Sequence, residues 1–302
     1  MTLIKINASS AEIGNAAQSA STTGPVIVMI HGYKYAPDHP QACPHDLLLS
    51  VAPQRSCNRI VSWPRRLGFG RQTSEGTALA FAWHARGTLG QAYRHAGEAG
   101  LHLAREISAL KAAEPTRPIH IFAHSLGARV ALSALHQLQP GDVHRIILLT
   151  GAEFRDRAAA AMETPAGRTA EVINITTREN DFFDLVTERW LSPLRIWRRT
   201  LGHGLRDPRP NWLDIEIDQP ESITALRGFG FPIAPVARRI CHWSTYLRPG
   251  LFPFYQALLR RPEQLPFSAL RAALPERQRR RWTRLLAPPR ALPLPFAPKT
   301  PS

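Results

Sequence analysis

Short apolar runs recur along this chain, separated by segments whose apolar residues return at helical spacing. Val26 to Ile30 (VIVMI) is rich in β-branched residues, entered through Gly24-Pro25 and closed by His31-Gly32. Ala78 to Trp83, Ile119 to Phe122, Ile146 to Leu149, Val172 to Ile175 and Leu213 to Ile217 repeat the pattern. Runs that are short and apolar at successive positions suit strands buried on both faces, as a parallel sheet requires. Between them, Gly90 to Ala113 carries Leu101, Ala104, Ile107 and Leu110 or Lys111 on one helical face. Leu126 to Leu138 places Val130, Ala131, Ala134, Leu135 and Leu138 in the same manner. Strands alternating with helices of this length predict βαβ crossovers, hence an α/β fold: a doubly wound, mostly parallel sheet with flanking helices.

Two regions break this rhythm. Residues 184–212 lie between the fifth and sixth runs and mix Leu185, Val186, Trp190, Leu194 and Trp197 with several arginines. That is too long for a simple crossover loop, and the expectation is a helix with an inserted cap. From Pro262 onward, proline and arginine dominate, which predicts an extended basic tail over 262–302. The fold proper is therefore expected to occupy residues 1–261, its core starting near residue 20 and the N-terminal segment adding an edge strand.

Composition narrows the class. The 302 residues are 44% hydrophobic and 20% charged, which excludes disorder throughout. Three cysteines (Cys43, Cys57, Cys241) are too few for a disulfide scaffold and suit a reducing compartment. The first twenty residues lack the apolar centre of a signal sequence, and no later run approaches the roughly 20 apolar residues of a membrane span. A soluble, cytoplasmic protein is the expectation. Formal net charge is +15, but 34 of the 38 basic residues are arginine, a bias that genome composition explains as readily as function. Charge alone names no partner. The tail is the best candidate for a weak contact with an anionic membrane surface, and no specific nucleic acid is expected.

The most informative segment is Ile119-His120-Ile121-Phe122-Ala123-His124-Ser125-Leu126-Gly127, where an apolar strand runs into a serine flanked by small residues and a helix begins at once. A serine on so sharp a turn sits in a strained conformation, and bulky neighbours two positions away would collide. The helix after it aims its first N–H groups beside the hydroxyl. An N-cap role for Ser125 is the plainer alternative.

This segment resembles the nucleophile elbow of the α/β-hydrolase superfamily, G-x-S-x-G, with Ala123 in place of the first glycine. The resemblance implies further residues. His31-Gly32-Tyr33 comes directly after the VIVMI strand, so the N–H groups of Tyr33 and Leu126 would form the oxyanion hole. The family's chain order of serine, acid, histidine points to Asp181 as the acid, with Glu179 and Asp184 as rivals, and to His242 as the base. His203 precedes the last strand and is disfavoured. The implied function is a serine hydrolase acting on carboxylic esters through Ser125, Asp181 and His242. Its substrate would be a small-molecule ester or acyl compound, and it would use no metal or organic cofactor.

Competing readings stay open. His39, Cys43, His45 and Cys57 match no usual zinc spacing, so no metal site is expected. Phe182, Phe183, Trp190, Trp197, Phe229 and Phe231 either line an acyl pocket or belong to the core, with core the default. Arg195, Arg198 and Arg199 face an acidic substrate, a phospholipid surface or simply solvent. Beyond a hydrolase, the chain would be a binding protein keeping the scaffold without turnover, or an anionic-surface binder working through its tail.

Overall fold

Seven strands form a single parallel sheet in the computed structural model, which describes residues 2–9, 23–54, 59–70 and 76–275. They are β1 (Thr2–Asn7), β2 (Val26–Ile30), β3 (Thr77–Ala82), β4 (Ile119–His124), β5 (Arg145–Leu149), β6 (Glu171–Thr176) and β7 (Trp212–Glu216). Their order is β1-β3-β2-β4-β5-β6-β7, and every neighbouring pair is parallel. All six apolar runs are strands, and the N-terminal segment is the edge strand β1. On β2, Val26, Val28 and Ile30 join one core while Ile27 and Met29 join the other. Burial on both faces is why these strands are continuously apolar.

The helices are α1 (Trp63–Arg66), α2 (Leu89–Ala113), α3 (Gly127–Ala134), α4 (Arg155–Glu163), α5 (Pro165–Thr169), α6 (Asp181–Leu191), α7 (Pro220–Gly228), α8 (Ser244–Leu247), α9 (Leu251–Arg260) and α10 (Phe267–Ala273). Helix α2 starts with a capping box, in which Thr88 accepts from the Gln91 N–H and the Gln91 side chain accepts from the Thr88 N–H. Its buried stripe runs through Ala96, Leu103, Ala104, Ile107 and Leu110, and Leu101 is exposed. Leu103 therefore takes the inward place expected of Leu101, because two residues turn a helix by roughly 200°.

Strand register positions the chemistry. Val26 pairs with Ile119 and Ile30 with Ala123, so β2 and β4 end side by side. That sets His31-Gly32 against His124-Ser125. Residues 184–212 hold no second domain: α6 is succeeded by a loop, a turn of 3₁₀ helix at Leu201–His203, and β7.

The boundary expected near Arg261 falls short. Leu265, Phe267, Leu270 and Leu274 are buried in the same core as Phe252, Tyr255 and Leu259. Arg145, 1% exposed, ion-pairs with Glu171 at 2.5 Å and donates to the Leu258 carbonyl at 2.8 Å, holding the end of α9 against the sheet. The prolines at 262 and 266 start a turn and a helix rather than an extended tail. The basic run from Arg277 onward lies outside the described residues. Leu270→Ala is expected to cost about 2–5 kcal/mol in urea unfolding, the range for an emptied leucine site in a core. An unchanged midpoint would put α10 outside the cooperative unit.

Candidate active site

Ser125 joins β4 to α3 with φ of +55°, a conformation that costs a non-glycine residue about 1–3 kcal/mol. The turn is held by its backbone: the Ser125 N–H donates to Leu149 at 3.0 Å, and its carbonyl accepts from Ala128 and Ala152. Close approach explains two glycines nearby. A Cβ on Gly127 would lie 2.7 Å from the Ile30 carbonyl oxygen, and one on Gly32 would lie 2.7 Å from the Ser125 Cβ. The turn after β2 is thus packed directly on the serine.

His242, 117 residues later in the chain, meets Ser125 with Nε2 2.9 Å from Oγ. Three hydrogen bonds hold the histidine's backbone. The Cys241 N–H donates to the Glu179 carbonyl at 2.9 Å. The His242 carbonyl accepts from His124 Nε2 at 3.1 Å and from the Thr150 hydroxyl at 3.3 Å. Phe183 packs on the imidazole, ring centroids 4.8 Å apart. Desolvation in this setting lowers the His242 pKa from 6.5 to about 4, so the ring is neutral near pH 7 and carries a single N–H.

The partner of that N–H is Asn180, whose Oδ1 lies 2.6 Å from Nδ1. Asp181, the expected acid, instead accepts from Arg178 Nε at 2.7 Å within a buried ion pair. Glu179 pairs with Arg248. The chain enters α6 through a 3₁₀ turn at Arg178–Asn180, which directs residue 180, not 181, toward the histidine. Asp184 reaches the imidazole through Asn180: Asn180 Nδ2 donates to Asp184 Oδ2 at 2.8 Å, and the Thr200 hydroxyl donates to Asp184 Oδ1 at 2.8 Å. A carboxylate only accepts, so the NH₂ of Asn180 must face Asp184 and its oxygen must face His242. The proton then sits on Nδ1, leaving Nε2 free to accept from Ser125. A search confined to carboxylates passes over Asn180, although it stands between Glu179 and Asp181.

His31 acts on the opposite side of the site. Its Nδ1 donates to the Gly32 carbonyl at 2.9 Å, and its Nε2 accepts the Trp83 N–H at 3.1 Å. Burial lowers its pKa to about 3, which keeps this neutral tautomer. The C=O and N–H of a trans peptide point in opposite directions, so holding the Gly32 carbonyl toward the imidazole turns the Tyr33 N–H away from it. Leu126 comes after the serine as the first residue before α3.

On one parallel sheet the chain thus sets a left-handed serine after β4, a His-Gly turn after β2 and a histidine beyond β7. Residues 7–151, just under half the chain, match the model of an alpha/beta hydrolase family of unknown function, DUF900. Over that span the chain is similar to an α/β-hydrolase family, and its parallel sheet with flanking helices is a fold of the α/β-hydrolase type. Among solved structures, the chain is similar to TT1662 from Thermus thermophilus at 14% identity and TM-score 0.42, over 82% of this chain and 91% of that one. It is also similar to a lipase-esterase related protein from Clostridium acetobutylicum at 9% identity and TM-score 0.29, over 52% and 75%. No curated protein matches it. Among the described residues, no helix is long and apolar enough to cross a membrane and no cluster of three or more metal-ligating side chains occurs. Cys43 and Cys241 are free and buried; Cys57 lies outside the described residues.

Two outcomes depend on pH. Unfolded histidine protonates near 6.5, whereas folded His242 and His31 wait until about 4 and about 3. Between those values the unfolded chain binds more protons, so stability is lost as pH falls below about 6.5. Calorimetric Tm is expected to drop steadily from neutral pH toward pH 4; a level Tm over that window would contradict neutral burial. Asn180→Asp places a carboxylate on Nδ1 and favours the imidazolium, so NMR titration of the His242 ring should give a pKa above about 4. An unmoved titration would mean that residue 180 does not set the proton on this ring.

Proposed function

We propose that this α/β hydrolase is a serine hydrolase of carboxylic esters. The observation that carries the reading is the 2.9 Å contact between His242 Nε2 and the Oγ of a serine at positive φ. In this reading Ser125 Oγ attacks the acyl carbon while its proton passes to His242 Nε2. The tetrahedral oxyanion is received by the N–H groups of Tyr33 and Leu126, each such donor being worth about 2.7–4 kcal/mol of transition-state stabilisation. The imidazolium returns the proton to the leaving alkoxide, and the alcohol departs. Water, deprotonated by His242, then attacks the acyl-enzyme, and Ser125 leaves with the proton restored. The sequence needs no metal or organic cofactor.

Asn180 in the acid's place makes the relay Ser125–His242–Asn180–Asp184. The amide fixes the tautomer, and the negative charge that favours the imidazolium lies one hydrogen bond further out. A carboxylate in direct contact would act more strongly, so Asn180 favours a second reading as well: a binding protein that keeps the scaffold with little turnover.

A fluorophosphonate probe separates the two. Adduct on Ser125, absent in Ser125→Ala and strongly reduced in His242→Ala, supports hydrolysis; folded protein that takes no adduct supports the scaffold. On a short-chain ester, Ser125→Ala should lower kcat/KM by at least about 10³-fold. Asn180→Ala should lower kcat by about 10²-fold with KM little changed. Asp181→Asn should instead cost about 3–5 kcal/mol of stability, because it removes the negative charge from a buried ion pair with Arg178. If Asp181→Asn rather than Asn180→Ala abolished kcat in folded protein, the relay drawn through residue 180 would be the wrong one.

A further inference from the structure

Helix α6 is built inside out. Asp181, Asp184, Thr187 and Glu188 form its buried face, while Phe182, Val186 and Trp190, spaced four residues apart on one stripe, face solvent. Trp190 is 69% exposed and Phe182 49%. A helix on the surface of a globular protein ordinarily turns its apolar stripe inward. The loop after α6 continues the display, with Leu194 90%, Ile196 64% and Trp197 73% exposed. This loop is fastened to the fold, since Arg189 and Arg199 both donate to the Ile196 carbonyl, at 3.1 and 2.8 Å. Of the eight large hydrophobic residues exposed among the described residues, six fall within 182–197 and a seventh, Ile240, lies two positions before His242. Concentrated apolar exposure of this kind marks an interaction surface.

We propose that this surface docks on an anionic phospholipid bilayer. Charge favours that occupant. The acidic residues within 182–199 are Asp184 and Glu188, both buried, whereas Arg195 at the loop tip and Arg238 and Arg239 beside Ile240 are exposed. Tryptophan and long basic side chains together suit the boundary between headgroups and acyl chains, where the ring sits at the interface and the guanidinium reaches the phosphates. A protruding tip with a nearly fully exposed leucine suits a fluid layer. A second copy of the chain fits less well, because a two-fold contact sets a basic patch against itself. Phe183, next to Phe182 on α6, packs on His242, so docking by this face sets the helix that contacts His242 against the membrane. The surface differs from the basic tail and stands without the hydrolytic reading.

Binding is therefore measured on full-length Ser125→Ala protein, whose behaviour does not depend on turnover. Co-sedimentation is compared for phosphatidylcholine vesicles with and without phosphatidylglycerol, alongside tryptophan emission. Partition onto the anionic vesicles with a blue-shifted emission is expected, and Trp190→Ser/Leu194→Ser/Trp197→Ser should lower it by about tenfold or more while leaving Tm in place. Binding that survives the triple substitution would assign it to basic residues elsewhere and overturn the proposal. Equal binding to neutral vesicles would remove the anionic requirement. A dimer in solution that the substitutions dissociate would give the surface to a second copy. Probe labelling of Ser125 in the wild-type chain is read separately, so either result can fail without the other.

Discussion

The arrangement at Ser125 depends on where one proton sits. Nε2 of His242 can accept from the serine only if the imidazole proton is on Nδ1, and that requires an acceptor at Nδ1. Asn180 qualifies only in one of its two amide orientations. The orientation is decided by Asp184, which can receive the NH₂ side and nothing else. Asp184 is in turn positioned on α6 and held by Thr200. The chemistry of residue 125 is thus conditioned by a carboxylate that does not touch the histidine.

Burial sets the protonation state of this histidine. With no carboxylate on Nδ1, the ring packed under Phe183 and against His124 stays neutral down to about pH 4. A neutral imidazole is a competent proton acceptor, but forming the imidazolium in such a place is costly. The low dielectric that raises this cost also strengthens any interaction of the imidazolium with Asp184 across the amide. The two effects share an origin, so a change that opens the site to water weakens both.

The strands were legible because a parallel sheet buries both faces, and continuous runs such as VIVMI have few other uses. The elbow was legible because Ser125 needs small neighbours, which the sequence displays. The resemblance points to His242, beyond the last strand, and the structure sets its Nε2 2.9 Å from Ser125 Oγ. Asn180 was not legible, since the choice between residues 180 and 181 turns on the pitch of a 3₁₀ turn, and composition carries no trace of that. The limit set at Arg261 failed for a related reason. Prolines 262 and 266 look like a tail, but Arg145 pins the end of α9, and the buried Phe267 and Leu270 hold α10 to the core. For Phe182, Trp190 and Trp197 the default of a core position does not hold, because helix α6 turns its polar side inward and leaves the first two exposed, and Trp197 is exposed on the loop after it.

The polar inner face of α6 connects the site to the surface. Helix α6 must turn Asp184 inward to reach Asn180, and Glu188, one turn later, to receive the Thr200 N–H and the Arg199 guanidinium. Residues three and four apart share a helical face, so this polar lining commits one side of α6 to the relay. The stripe at Phe182, Val186 and Trp190 is then directed outward by geometry alone. Geometry does not dictate that the stripe be apolar: charged residues at 182, 186 and 190 would keep the same inner face and dissolve more readily. Two tryptophans and a leucine at solvent positions carry a standing cost in solubility, and the relay does not account for it. The bilayer proposed above would supply a separate constraint on the outer face, one that favours apolar side chains there.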